Sequence, residues 1–272
     1  MTVPGGRLHA RAGGAVGLPA VVTIHSGLAH SRMWDPLAAA LHEDAFVVSY
    51  DCRCFGRSTT DLGGPYSDLA DLAAVLDAFG LDSAVLVGTS RGARIAIDFA
   101  LAHPERVRGL FLVAPDVSGF DAPATDAERA LQAAIEAADE AWEVEDLIDN
   151  ELRLFVDGPT RDAAEERAEL RAWIAEMSRV NYAQQRDTPG FTALDPPAAG
   201  RLSELACPVR VLVGEADTSG MIAMSAAVER DCPRAELVRI ADTAHMLVLE
   251  RPAEVERELR SWLRTVPPPP AR

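Results

Sequence analysis

Six short, nearly unbroken apolar runs divide this chain, and helical patterns fill the gaps between them. The runs are "AVVTIHSG" (20–27), "AFVVSYD" (45–51), "AVLVG" (84–88), "GLFLVA" (109–114), "VRVLVG" (209–214) and "AELVRI" (235–240). A strand covered on one face alternates apolar and polar residues, whereas a strand buried on both faces loses that alternation. The intervening segments 67–79, 91–102 and 252–264 repeat at helical spacing, the first placing Leu69, Leu72, Leu76 and Phe79 on one side. This βαβ order predicts an α/β fold: a mostly parallel sheet with helices on both faces. At 272 residues and 48% hydrophobic content, the chain suffices for one large α/β domain with a smaller insertion.

The insertion falls at 117–200, where no comparable apolar run occurs. "TDAE" (125–128) reads as a capping box opening a first helix. "EVEDLIDNELRLFV" (143–156) follows, and then "AEERAELRAWIAEMSRV" (164–180), with Leu170, Trp173, Ile174 and Met177 at helical spacing. Residues 121–170 carry 16 acidic and four basic side chains, −12 of the net −16 of the whole chain. Such charge reads as a solvated outer helix face. The sequence divides as a core at 1–116 and 201–265, a helical unit at 117–200, and a Pro-rich tail at 266–272 expected to be disordered.

Composition removes several kinds of function. A net charge of −16 does not suit a phosphate-backbone partner, so no nucleic acid is expected. All 26 cationic residues are Arg. Without lysine there is no Schiff-base or pyridoxal-phosphate chemistry and no P-loop. Four cysteines do not make a disulfide framework, and Cys52 and Cys54 lack the second pair of a metal site. Cys207 and Cys232 read as packing thiols. Neither a signal peptide nor a run of ~18 apolar residues is present, so the expectation is a soluble cytoplasmic protein, monomer or homodimer. Nothing calls for a metal, nucleotide or flavin; the expected partner is a small-molecule substrate.

The chemistry lies in "GTSRG" (88–92), between an apolar run and a helical pattern. G-x-S-x-G between strand and helix is a nucleophile elbow, which lifts the Ser90 hydroxyl above the C-terminal edge of the sheet. A serine hydroxyl needs a base to take its proton. His245 follows a strand in "IADTAHMLVLE", before the last helix, where that base belongs. His103 sits at a helix end and reads as a cap on carbonyls. Asp217 in "VLVGEADTSG" ends a strand in the required chain order and would hold the His tautomer. Asp116, after "FLVAP", is its rival, and Glu215 a weaker one. Two N–H donors are needed for the developing oxyanion. One is the Arg91 amide, and the other comes from the loop after "VVTIH", at Gly27 or Leu28.

The segments "VTIHSGLAHSRMWDPLAAAL", "VVSYDCRCFGRS", "LVGTSRGARIAIDFALAHPERVRGLFLVAP" and "DTAHMLVLERPAEVERELRSWL" resemble the α/β-hydrolase superfamily, its serine branch of enol-lactonase-like and non-haem haloperoxidase-like enzymes. The resemblance implies an α/β-hydrolase fold with a helical cap at 117–200. It implies Ser90 as nucleophile, Asp217 as acid, His245 as base, and the Gly27 and Arg91 amides as the oxyanion hole. Three positions depart from the family pattern: Ser26 follows His25 where glycine is usual, Cys54 stands at a usual glycine, and Arg91 follows the nucleophile. Ser26, Leu28, Arg91 and Trp142 are the expected substrate-binding residues. Arg91 has two readings, a fork for a substrate carboxylate or a salt bridge within the chain. The function implied is hydrolysis of a small ester, lactone or related acyl compound through an acyl-enzyme. The alternatives are carbon–carbon bond hydrolysis, perhydrolysis, or a non-hydrolytic binding or cyclase-type protein on the same fold.

Overall fold

The computed structural model describes residues 1–61, 63–162, 165–186 and 190–267. The chain opens with β1 (Thr2–Val3), β2 (Gly6–Arg7), β3 (Ala10–Gly13) and β4 (Ala20–Ile24). Next come α1 (Asp35–Leu41), β5 (Phe46–Tyr50), β6 (Thr59–Thr60), α2 (Asp68–Ala78), β7 (Ala84–Thr89) and α3 (Arg91–Ala102). After β8 (Val107–Val113) stand three successive helices, α4 (Asp126–Ala141), α5 (Val144–Glu151) and α6 (Ala168–Gln185). The chain then completes β9 (Val209–Gly214), α7 (Ser219–Asp231), β10 (Ala235–Ile240), α8 (Leu247–Glu250) and α9 (Pro252–Leu263).

All six apolar runs are strands of one sheet, in the order β10-β9-β8-β7-β4-β5-β3. Every pairing is parallel except β3 with β5. The expectation missed β3, because a four-residue edge strand "ARAG" carries no apolar signal. It missed α1 and α7 too. The central strands β4 and β7 are buried throughout, as helices on both faces require. Two apolar clusters flank the sheet: Leu72, Leu76, Ile95, Ile97 and Phe99 pack on one face, and Trp34, Leu41, Leu259 and Trp262 on the other.

The capping box at Thr125 and Glu128 forms as expected, both hydrogen bonds being present. α5 runs on into a π-helical turn, Leu152–Asp157. Of the tail expected to be disordered, Val266 is buried and the Pro267 carbonyl accepts from Arg108, so these two residues are anchored. Residues 268–272 lie outside the described residues. The His103 ring packs on Phe99 at 4.8 Å instead of capping a carbonyl with its side chain. No helix among the described residues is long and apolar enough to cross a membrane.

The chain runs outward from β4 to β5, then returns to β7 and proceeds the other way through β8, β9 and β10. The reversal opens a crevice between the C-terminal ends of β4 and β7, where such sheets bind ligands. The turn from β7 into α3 is pressed against β4 there. A Cβ on Gly92 would fall on the Ile24 carbonyl oxygen, and one on Gly88 would fall on the Gly92 carbonyl. Gly92→Ala is therefore expected to lower stability by about 1–3 kcal/mol. It would be read as a lower urea midpoint at unchanged m-value, with Gly13→Ala, which meets nothing within 4 Å, near neutral as the control.

Candidate active site

Ser90 sits between β7 and α3 at φ 53° and ψ −120°, a strained backbone for a residue with a side chain. The turn is over-determined: the Ser90 amide donates to the Val113 carbonyl at 3.0 Å, and the Ser90 carbonyl accepts from the Ala93 and Arg94 amides. The strain is thus held by β8 on one side and by the first turn of α3 on the other. Arg91 contributes the first amide of α3, one of those a helix leaves unpaired at its positive end.

Asp217 and His245 meet at the same edge of the sheet, beyond β9 and β10. His245 Nδ1 lies 2.9 Å from Asp217 Oδ2, and both side chains are almost wholly buried. The other Asp217 oxygen accepts from the Thr218 amide at 2.7 Å, which fixes the carboxylate. A carboxylate facing Nδ1 places the ring proton there and leaves the Nε2 lone pair outward. Nε2 is buried and has no hydrogen-bond partner among the described residues. The rival acid is otherwise engaged, since Asp116 Oδ2 pairs with Arg94 at 3.2 Å.

Sequence reasoning missed what holds His245 in place. Its ring packs on Phe155 at 5.0 Å, and its amide donates to the Phe155 carbonyl at 3.2 Å. Phe155 belongs to the π-helical turn. Arg161 ties that turn to the His245 loop, donating to the carbonyls of Val156, Asp157 and Asp242 and to both oxygens of Glu250. Glu250 in turn accepts from the amide of Ala244, the residue before His245. Arg161 and Glu250 lie 89 residues apart, so no local pattern could have paired them.

The loop after β4 is held from two sides. His25 Nδ1 donates to the Ser26 carbonyl at 2.7 Å, and its Nε2 accepts from the Cys52 amide at 2.9 Å, so the ring is neutral. Burial pushes the His25 pKa down to about 4, and the Arg91 charge adds to that. From above, α6 reaches down with a polar stripe. The Ser178 hydroxyl donates to the Leu28 carbonyl at 2.8 Å, and Asn181 Nδ2 donates to the Ala29 carbonyl at 3.0 Å. Asn181 Oδ1 accepts from the Gly56 amide, and Gln185 donates to the Cys54 carbonyl. Ser178, Asn181 and Gln185 share one helix face by their spacing, but a polar face has the composition of one turned to solvent, so nothing marked it. Cys54, at the usual glycine position, adopts a left-handed φ of 69°.

The expected substrate-binding residues make the following contacts. The Ser26 hydroxyl donates to Met246 Sδ at 4.0 Å, beside His245, and Leu28 offers its backbone to α6. The Arg91 guanidinium takes the second of its two readings: Nη2 lies 2.8 and 3.0 Å from the Asp68 oxygens, and the group stacks over Phe55 at 4.8 Å. Trp142 caps α4 at φ 55° and stands edge-on to Tyr182 at 6.2 Å. Among the described residues no group of three or more His, Cys, Asp or Glu side chains could hold a metal ion.

A family model described as "Alpha/beta hydrolase family" matches residues 21–258. The chain belongs to the alpha/beta hydrolase family. It is 35% identical over 114 residues to lipase LipV of Mycobacterium tuberculosis, covering 41% of this chain and 42% of that one. The chain spans about two fifths of the length of several curated relatives it matches. Among solved structures, a thermophilic esterase from Thermogutta terrifontis superimposes with a TM-score of 0.75 at 25% identity, covering 96% of this chain and 94% of that one. The enol-lactonase from Burkholderia xenovorans shares the fold, with a TM-score of 0.76 at 21% identity over 95% of this chain and 97% of that one. The resemblance to the α/β-hydrolase superfamily drawn from its motifs therefore holds.

His25 makes acid stability testable. The unfolded chain takes up a proton near pH 6.5 that the native ring refuses until about pH 4. The stability owed to the neutral ring is full above pH 6.5 and is lost as pH falls through that window. His25→Gln is expected to remove about one proton from the slope of unfolding free energy between pH 6 and 4.5, measured by urea titration. An unchanged slope means that His25 does not couple folding to pH.

Proposed function

We propose that the enzyme cleaves small esters or lactones through an acyl-enzyme on Ser90. The 2.9 Å hydrogen bond between His245 and Asp217, with Nε2 unpartnered among the described residues at the edge that carries Ser90, is the observation that supports this most. In this reading His245 takes the Ser90 proton as the hydroxyl attacks the carbonyl carbon, and Asp217 stabilises the imidazolium that forms. The carbonyl oxygen becomes an oxyanion, held by the Gly27 and Arg91 amides. His245 then gives the proton to the leaving oxygen. A water, deprotonated by the same ring, releases the acid and restores Ser90.

In the same reading, residues 117–200 are a cap that shapes the substrate pocket, and α6 and the π-helical turn are its contacts with the catalytic loops. Arg91 acts through its backbone, since its guanidinium is committed to Asp68. Ser26 and Leu28 border the oxyanion hole and Trp142 belongs to the cap wall. The enzyme is read as working without a cofactor on a small-molecule substrate.

Ser90→Ala and His245→Ala are each expected to lower kcat on p-nitrophenyl butyrate by at least ~10³-fold, with the native fold retained by circular dichroism. Turnover that survives in Ser90→Ala contradicts the reading. Arg161→Gln loosens the support behind His245 and is expected to lower kcat on the order of tenfold while KM changes little, because misplacement of a catalytic group acts on the chemical step. An unchanged kcat would show that the π-helical turn does not position the base.

A further inference from the structure

One buried carboxyl is left unexplained by this chemistry. Glu151, the last residue of α5, sits four residues before Phe155, so it lies about one turn away on the same side of the helical path. Phe155 is the residue whose ring packs on His245. Opposite, on α6, Tyr182 lies four residues beyond Ser178, which holds the Leu28 carbonyl beside the oxyanion loop. Glu151 and Tyr182 meet across this gap: the Tyr182 hydroxyl donates to Glu151 Oε1 at 2.7 Å. The pair thus bridges the two cap helices one turn above the His245 and Leu28 contacts.

The second oxygen, Glu151 Oε2, is buried and has no hydrogen-bond partner among the described residues. A buried acceptor without a donor is costly, and more so when charged, so Oε2 is open to a donor carried by a ligand. The surroundings favour a cation. Trp142 stands edge-on to Tyr182 and provides an aromatic wall, and Asp139 adds a second negative charge that acts on Glu151. Arg186 lies over the Trp142 ring at 5.8 Å, but no ion pair or hydrogen bond joins it to Glu151 among the described residues. Aromatic faces and a carboxylate together recognise ammonium groups.

We propose that Glu151, Tyr182 and Trp142 form a subsite for a protonated amine carried on the alcohol portion of the substrate. The alcohol side follows from the chemistry: His245 returns its proton to the leaving oxygen, so the leaving group lies against His245, and Glu151 continues that wall past Phe155. The proposal rests on the Ser90 acyl-enzyme reading. A substrate ammonium donates its N–H to Oε2 and faces the Trp142 and Tyr182 rings. Burial raises the Glu151 pKa to about 7, with the Tyr182 hydrogen bond opposing it, so the unliganded carboxyl gains a proton as pH falls through neutrality. Recognition of a cation weakens in the same interval, because a protonated carboxyl has lost its charge.

Two esters of matched shape test this: 3-(dimethylamino)propyl butyrate, cationic at pH 8, and 4-methylpentyl butyrate, its neutral counterpart. Hydrolysis is followed by pH-stat. The wild-type enzyme is expected to favour the cationic ester at least tenfold in kcat/KM at pH 8, with the preference shrinking toward pH 6. Glu151→Gln is expected to bring the ratio close to one, mainly through KM, and to abolish its pH dependence. Inhibition of the wild-type enzyme by 3-(dimethylamino)propanol, stronger than by 4-methylpentanol, makes the same test without a variant. A wild-type ratio near one, or a ratio that Glu151→Gln leaves unchanged, overturns the subsite. Hydrolysis of the neutral ester that depends on Ser90 separates the two claims, for it can hold while the subsite fails. Absence of turnover of both esters removes the acyl-enzyme reading and the subsite with it.

Discussion

The close approach of the β7–α3 turn to the end of β4 is the constraint on which the rest of the molecule depends. Backbone meets backbone where Gly92 lies against the Ile24 carbonyl, and no side chain fits between them. That contact puts the strained Ser90 beside the loop that follows β4 and aims the first amides of α3 into the crevice. The strain at Ser90 is paid for elsewhere, by amide and carbonyl bonds to Val113, Ala93 and Arg94 and by strands buried on both faces.

Around this fixed point the remaining groups arrive from distant parts of the chain, and each is braced by a second set of contacts. Asp217 is set by the Thr218 amide, and His245 by Asp217, by the Phe155 ring and carbonyl, and through Ala244 by Glu250 and Arg161. The β4 loop is braced by a neutral His25 below and by Ser178 and Asn181 above. The helices of 117–200 therefore do more than cover the sheet. They carry the Phe155 and Ser178 contacts that hold both sides of the opening, so a proposed pocket wall and a positioning frame are the same structure.

Much of this was legible in the sequence, for physical reasons. Strands buried on both faces read as unbroken apolar runs, and all six runs are in the sheet, but β10 was expected to be buried and, as an edge strand, buries only Ile240. The elbow was legible because Gly88, Ser90 and Gly92 each answer a local steric or chemical demand. Asp217 and His245 were legible because the fold puts strand ends at one edge, and the structure brings their side chains together. What escaped was non-local or ambiguous. β3 is too short and too polar to signal a strand, and the Arg161–Glu250 pair spans 89 residues. The α6 stripe of Ser178, Asn181 and Gln185 has the composition of a solvent face and is instead a latch onto backbone. Arg91 had two readings in the sequence, a substrate fork or an internal salt bridge, and its guanidinium points at Asp68.

In the proposed chemistry, Ser90 is a nucleophile activated by His245 as Asp217 holds it. Labelling with a fluorophosphonate, followed by mass spectrometry of the digested protein, measures that most directly. A single adduct is expected on the peptide carrying Ser90, formed at least a hundredfold more slowly in His245→Ala. An adduct on another serine, or equal labelling rates with and without His245, would contradict it.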